Sequence, residues 1–270
     1  MDGTEPPPGT RTLARGLAVL RAVAAGAGDL RAVVEHTGLG RSTAHRLLQL
    51  LTSEGFVRGG GAAPYGLGPA LIELGFTALH RNPLPVVARP VLEELSGRVL
   101  DTVHLAVEDG GTALYLDKLP GSRGAEMRSR VGHRMPLTRT GIGKALLLDT
   151  PDRWEALYAA ESAVVPQAAR LPEPAAFRER MSGYAEQDAA FDLEENEPGI
   201  RCVASPVRDA TGRIAGAVSV SATSPYMPAR RMRGLVPVVR AAAGRISAGL
   251  GGPGPAGGRP RTGRGGGPAD

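Results

Sequence analysis

Between Arg41 and Glu54 two opposed faces share one helical period. Ala44, Leu47, Leu48 and Leu51 fall at i, i+3, i+4 and i+7, an apolar stripe that must be buried. Ser42, Arg46, Gln49 and Ser53 fall on the opposite side, joined at the N-terminal end by Arg41 and Thr43. That outer face donates and accepts hydrogen bonds as well as carrying charge. Such a helix requires a small core beneath it and a polar, hydrogen-bonding partner above it.

The flanking sequence supplies the core. Leu13, Leu17, Leu20 and Ala24 recur at three- and four-residue spacing and predict the inward face of a first helix, ended by Gly26 and Gly28. Asp29 is a suitable N-cap for a short second helix with Leu30, Val33 and Val34 inward. Thr37-Gly38 closes it, with the glycine left-handed. After the third helix, Phe56-Val57-Arg58, the glycines 59–61 and Tyr65-Gly66-Leu67 predict two short strands joined tightly. Helix, tight turn, helix and a two-stranded wing place a hydrogen-bonding rod where the major groove of DNA admits one. On that expectation Ser42, Thr43 and Arg46 reach base edges, His45 and Gln49 are secondary contacts, and Arg41 and Arg58 hold phosphates. Charge agrees: from Arg11 to Arg58 seven arginines stand against Asp29, Glu35 and Glu54, so 7 − 3 leaves +4 of the chain's formal +5.

Beyond the wing, Pro69 opens a helix rich in Leu71, Ile72, Leu74, Phe76 and Leu79, ended by Asn82-Pro83. So much apolar surface predicts a linker packed on its copy in a second subunit. A helix over 84–98 precedes a hairpin of Thr102–Val107 and Thr112–Asp117. Next come a strand over 126–131, a helix over 141–148, and helical segments near 152–160 and 173–183. A second hairpin pairs Arg201–Val207 with Arg213–Ser221, and a last helix spans about 228–248. Hairpins joined by helices give the α+β class: an antiparallel sheet flanked by helices. Residues 1–9 and 249–270, rich in Gly and Pro, read as disordered. The organisation is then 10–68 for DNA binding, 69–82 as linker helix and 83–248 as effector-binding domain.

Several chemistries are disfavoured. A single cysteine, Cys202, rules out an internal disulfide and Cys-rich clusters. Gly141-Ile142-Gly143-Lys144 lacks the spacing of a phosphate-binding loop, with Thr138 where the first glycine belongs and Ala145 after the lysine. The five histidines (36, 45, 80, 104 and 133) form no i, i+4 pair. The acids Asp192, Glu194, Glu195 and Glu197 read as a solvated loop, and His104 as structural. No catalytic residue, metal or cofactor is expected. No run is long and apolar enough for a membrane helix, so a cytoplasmic protein without a membrane partner is expected.

The stretch Thr37-Gly38-Leu39-Gly40-Arg41-Ser42-Thr43-Ala44-His45-Arg46-Leu47-Leu48, then Glu54-Gly55-Phe56-Val57 and Tyr65-Gly66-Leu67-Gly68, resembles the IclR family of bacterial regulators. Val103-His104-Leu105-Ala106, Tyr115-Leu116-Asp117-Lys118, Gly143-Lys144-Ala145, Glu194 through Cys202 and Ser219-Val220-Ser221 continue the likeness over about residues 11–248. The resemblance implies a winged helix-turn-helix, a linker helix and a GAF- or profilin-like antiparallel sheet. It further implies a homodimer or homotetramer on double-stranded operator DNA and a small-molecule effector. It assigns the effector contacts to the amides of Gly141 and Ile142 and the side chains of Asp192, Cys202, Ser219 and Ser221. A helix start suits a carboxylate, and Ser219 and Ser221 at i, i+2 share one face of a strand. Gly40 stands where the family often has proline. The resulting expectation is a repressor controlled by an organic or sugar acid. The alternatives are an architectural or adaptor DNA-binding protein without ligand control and a small-molecule enzyme.

Overall fold

The computed structural model describes residues 7, 9–61, 63–123, 127–164 and 171–254, with the backbone alone described at 79–81. Most of the terminal stretches expected to be disordered, 1–6, 8 and 255–270, lie outside these residues. The chain forms two compact units, 1–81 and 82–270.

In the first unit α1 (Arg11–Ala24), α2 (Leu30–Thr37) and α3 (Arg41–Ser53) precede a ribbon of β1 (Val57–Gly60) and β2 (Ala63–Leu67), and α4 (Pro69–Arg81) follows. The turn is built as its residues dictate. Asp29 accepts a hydrogen bond from the Ala32 amide at 2.8 Å, and Gly38 ends α2 with φ of +67°. Ala44, Leu47 and Leu48 are buried with Val19, Ala22, Val23, Val33 and Val57, and Leu30, Val34 and Leu51 pack at the margin. The α1 leucines correct the sequence expectation. Leu13 is 65 % exposed and Leu17 43 %, while Leu20 is half-buried and Ala24 exposed. The buried ridge is instead Val19, Ala22 and Val23, which pack in one core with Val33, Ala44, Leu47, Leu48 and Val57.

The passage from wing to α4 is tight. The Gly68 amide donates to the Phe56 carbonyl at 2.8 Å, and a Cβ on Gly68 would lie 2.1 Å from the Gly55 oxygen. Gly68→Ala must therefore push backbone from backbone and is expected to cost about 1–3 kcal/mol. Denaturant unfolding of the variant checks this, and an unchanged midpoint would show that the segment yields freely.

The second unit opens with α5 (Pro83–Val99) and closes with α9 (Ala229–Gly249). Between them lie β3 (Thr102–Asp109), β4 (Thr112–Leu119), β5 (Arg134–Met135), α6 (Gly141–Leu146), α7 (Trp154–Ser162), α8 (Pro174–Gln187), β6 (Ala190–Leu193), β7 (Ile200–Arg208) and β8 (Ile214–Thr223). The strands form one antiparallel sheet, ordered β5-β4-β3-β8-β7-β6. Alternation sorts its residues. Val103, Leu105, Val203, Val207, Val218 and Val220 face α5 and α9, whereas Ala106, Tyr115, Cys202, Ala204 and Ala217 face α6, α7 and α8.

Two elements depart from the sequence reading. The strand expected over 126–131 does not form at 127–131, and Glu126 lies outside the described residues; β5 is two residues long and begins at Arg134. The carbonyls of Met127 and Ser129 instead accept hydrogen bonds from the Lys118 ammonium at 2.6 and 2.8 Å. A lysine side chain thus satisfies acceptors that a neighbouring strand would otherwise take. Edge strand β6 has no counterpart in the sequence reading. Its four residues are too few for alternation to declare itself.

Candidate functional site

In the first unit the outer face of α3 is open. Arg41, Ser42, His45, Arg46, Gln49 and, on the wing, Arg58 are exposed, and Thr43 is half-buried. Arg31 by contrast is occupied by Glu35 at 2.8 Å. No carboxylate pairs with Arg41, Arg46 or Arg58 among the described residues. The outer face of α3 thus presents two guanidinium groups and four hydrogen-bonding side chains, and the wing a third guanidinium, none paired with a carboxylate among the described residues, a composition that suits a polyanion with polar base edges.

In the second unit the register assembles a polar row on the face toward α6. Asp192 lies opposite Cys202 across β6 and β7, Cys202 opposite Ser221 across β7 and β8, and Ser221 opposite Thr102 across β8 and β3. The next row runs Ala204, Ser219, His104 and Lys118. The start of α6 faces these rows so closely that a Cβ on Gly141 would meet Cys202 Sγ at 2.8 Å. Thr140 caps the helix by accepting from the Gly143 amide at 3.0 Å. Its carbonyl takes the Lys144 amide at 3.0 Å. The amides of Gly141 and Ile142 are left without a partner among the described residues.

A cavity of about 230 Å³ lies between helix start and sheet. Gly141, Ile142, Asp192, Cys202 and Ser221 line it, so five of the six residues expected as effector contacts meet there. Ser219 is buried in the neighbouring row and does not line it. The rest of the lining includes residues the sequence reading missed, chiefly His104, Tyr115, Met127, Ser129 and His133. His104 therefore belongs to the cavity wall. It is 2 % exposed, its Nε2 is 2.7 Å from Ser129 Oγ, and its ring stacks on Tyr115 at a centroid distance of 4.8 Å. The available signal was the alternation Thr102-Val103-His104-Leu105, which puts polar side chains on one face of a strand whose other face is apolar.

The acidic run is likewise not a solvated loop. Asp192 and Glu195 are buried, and Glu194 is paired with Arg201 at 2.7 Å. Lys144, 1 % exposed, makes an ion pair with Glu195 and donates to the Phe191 carbonyl at 2.9 Å, while Arg180 reaches the other Glu195 oxygen at 3.0 Å. This buried cluster pins α6 to β6 and so fixes the two cavity walls relative to each other. A lone lysine within the apolar run Ile142 to Leu148 is the sequence signature of such a paired charge.

Burial dominates the electrostatics. It raises the Asp192 carboxyl to about 6, with the Lys144 charge pulling the other way. The Cys202 thiol is pushed up to about 11, first by burial and then by Asp192, with the Ser221 and Ser219 hydroxyls partly opposing. It is thus held as a thiol, a polarizable contact and not a nucleophile. Burial, then the Lys118 charge, lowers His104 to about 3, so its imidazole is neutral. Among the described residues no group of three or more His, Cys, Asp or Glu side chains is arranged to hold a metal, and no helix is long and apolar enough to cross a membrane.

Comparison with known proteins matches both units to one family. The IclR helix-turn-helix domain matches residues 12–60, and the bacterial transcriptional regulator IclR C-terminal domain matches residues 76–248. The chain is 34 % identical over 186 residues to the HTH-type transcriptional regulator XynR of Escherichia coli, covering 68 % of this chain and 74 % of that protein. It is 31 % identical over 254 residues to the DNA-binding transcriptional repressor YiaJ of the same organism, covering 92 % and 90 %. A crystal structure of a putative transcriptional regulator from Rhodococcus superposes with a TM-score of 0.76 at 29 % identity, covering 89 % of this chain and 98 % of that one. The chain belongs to the IclR family of bacterial transcriptional regulators, with a DNA-binding helix-turn-helix domain and an effector-binding α+β domain that make it a metabolite-controlled regulator.

Proposed function

We propose that this regulator is a cytoplasmic repressor, without enzymatic activity, that binds a pseudo-palindromic operator as a homodimer or homotetramer and responds to an organic or sugar acid. Residues 10–68 bind DNA, 69–82 form the linker and 83–248 hold the effector. The observation that carries the ligand reading is the cavity between α6 and the sheet. Two unpaired amides there suit a carboxylate, while Asp192, Cys202 and Ser221 offer contacts to hydroxyl or keto groups beside it. At about 230 Å³ the space suits a small molecule. Ser219 contributes by backing the Cys202 sulfur. Oligomerisation is supported by Ile72 and Leu74, which are 62 % and 56 % exposed on α4. Leu71 is half-buried, and the Leu79 side chain lies outside the described residues. The repressor assignment rests on the likeness to YiaJ.

Ser42, Thr43 and Arg46 read bases, with His45 and Gln49 in support, and Arg41 and Arg58 hold phosphates. Arg46→Ala is then expected to cost about 1–3 kcal/mol on the cognate site and to relax sequence preference. Arg41→Ala should weaken all sequences alike and flatten the salt dependence by about one phosphate contact. The test is selection from random duplex DNA at fixed salt, followed by titration of both variants on selected and scrambled sites. An inverted repeat with half-sites about one helical turn apart supports the reading. Equal losses for both variants on both DNAs would remove the assignment of roles. Effector binding needs only about 1–3 kcal/mol of differential affinity between two quaternary states to switch DNA binding. A ligand that binds the cavity without altering operator affinity would favour the adaptor reading.

A further inference from the structure

A second cavity, of about 420 Å³, adjoins the first. The two share Met127, Arg128, Ser129 and His133, so the segment that failed to become a strand is their common wall. The remaining lining of the second cavity is Lys118 and Arg130. Its charge is therefore of one sign, with no carboxylate among its described lining residues. Arg128 and Arg130 are exposed and pair with no carboxylate among the described residues. Lys118 spends two ammonium protons on the Met127 and Ser129 carbonyls, which leaves a third. The acids Asp192 and Glu197 line the first cavity only.

Arginine forks and a lysine ammonium around one space select carboxylate or phosphate oxygens. Among the described lining residues the charges gathered there are all cationic, and an anion would offset them. We propose that the effector carries two anionic groups. One carboxylate sits at the Gly141–Ile142 amides, and a second anionic group, carboxylate or phosphate, lies across the 127–133 wall against Lys118, Arg128, Arg130 and His133. The inference rests on the acid-effector reading above and specifies the charge at the far end of that ligand.

The test is calorimetric titration of the full-length protein with matched pairs. Glutarate and adipate are compared with their monoamides, and 3-phosphoglycerate and 6-phosphogluconate with glycerate and gluconate. In at least one pair the acid with two anionic groups should bind ten-fold or more tightly than its partner with one, with the preference shrinking as salt rises. Whether a dicarboxylate or a phosphorylated acid shows it identifies the second group. Arg130→Ala, which borders the second cavity alone, should reduce that preference to a few-fold. Equal binding within each pair, or a full preference retained in Arg130→Ala, overturns the inference while leaving the acid effector standing. If no acid of either kind binds, the acid-effector reading falls and takes the inference with it.

Discussion

Lys144→Met is expected to destabilise the effector-binding unit by about 3–5 kcal/mol, because it strands the buried Glu195 carboxylate without its cation. Arg180 offsets little of this. Its side chain is 43 % exposed and holds only the outer oxygen. The loss reaches the site, since the same ammonium donates to the Phe191 carbonyl beside Asp192 and ties α6 to β6. Denaturant unfolding of Lys144→Met, Glu195→Gln and the double variant measures the coupling. The double variant should recover much of the loss, because an uncharged pair leaves no buried charge uncompensated. Additive losses would show that Lys144 and Glu195 act independently, and the pinning of α6 would then rest on apolar contacts such as Ile142, Ala145 and Leu146.

The second large effect is a pair of opposed pH dependences within the same cavity. His104, held at about 3 in the fold against an ordinary 6.5, binds its proton more readily when unfolded. Its contribution to stability is therefore present above about pH 6.5 and is lost as pH falls toward 3. Asp192 is raised to about 6 from 3.8, so its contribution is full below about pH 3.8 and is lost as pH rises through 6. Between about pH 4 and 6 each approaches 1.4 kcal/mol per pH unit, with opposite sign. The wild-type profile from this pair is nearly flat in that window. Asp192→Asn removes one arm, so its stability should fall relative to wild type by about 1.4 kcal/mol per unit on acidification from pH 6 to 4. His104→Gln should gain on the wild type over the same range. Chemical denaturation at pH 4, 5, 6 and 7 gives the profiles. Parallel curves for all three proteins would mean that neither group is desolvated in solution.

Much of the DNA-binding unit was legible because its determinants are local. The Asp29 cap, the left-handed Gly38, the two faces of α3 and the glycine-rich wing are each set by residues within a few positions of one another. The exposed guanidinium groups followed from the same periodicity. The α1 face was misread because the Leu13-Leu17-Leu20-Ala24 spacing competes with a second apolar set at the same period, and only the packing of α1 on the other helices shows that Val19, Ala22 and Val23 are the inward set.

In the effector-binding unit the hairpins, the α+β class and, through family likeness, one wall of the cavity were available from sequence. The rest of the lining was not. His104 meets Ser129 only because 127–129 is held by Lys118 instead of pairing as a strand. Glu195 is buried with its charge paired only because Lys144 and Arg180 come from helices 51 and 15 residues away in the chain. The sequence by itself determined the recognition helix, its cap and turn, the hairpins and the charge carried by each segment, since all of these depend on short-range periodicity and local hydrogen bonding. The tertiary structure alone decided which face of α1 is buried, where buried charges find partners, and that two cavities share one wall. Those outcomes depend on strand register and on side chains distant in sequence, which no local pattern encodes.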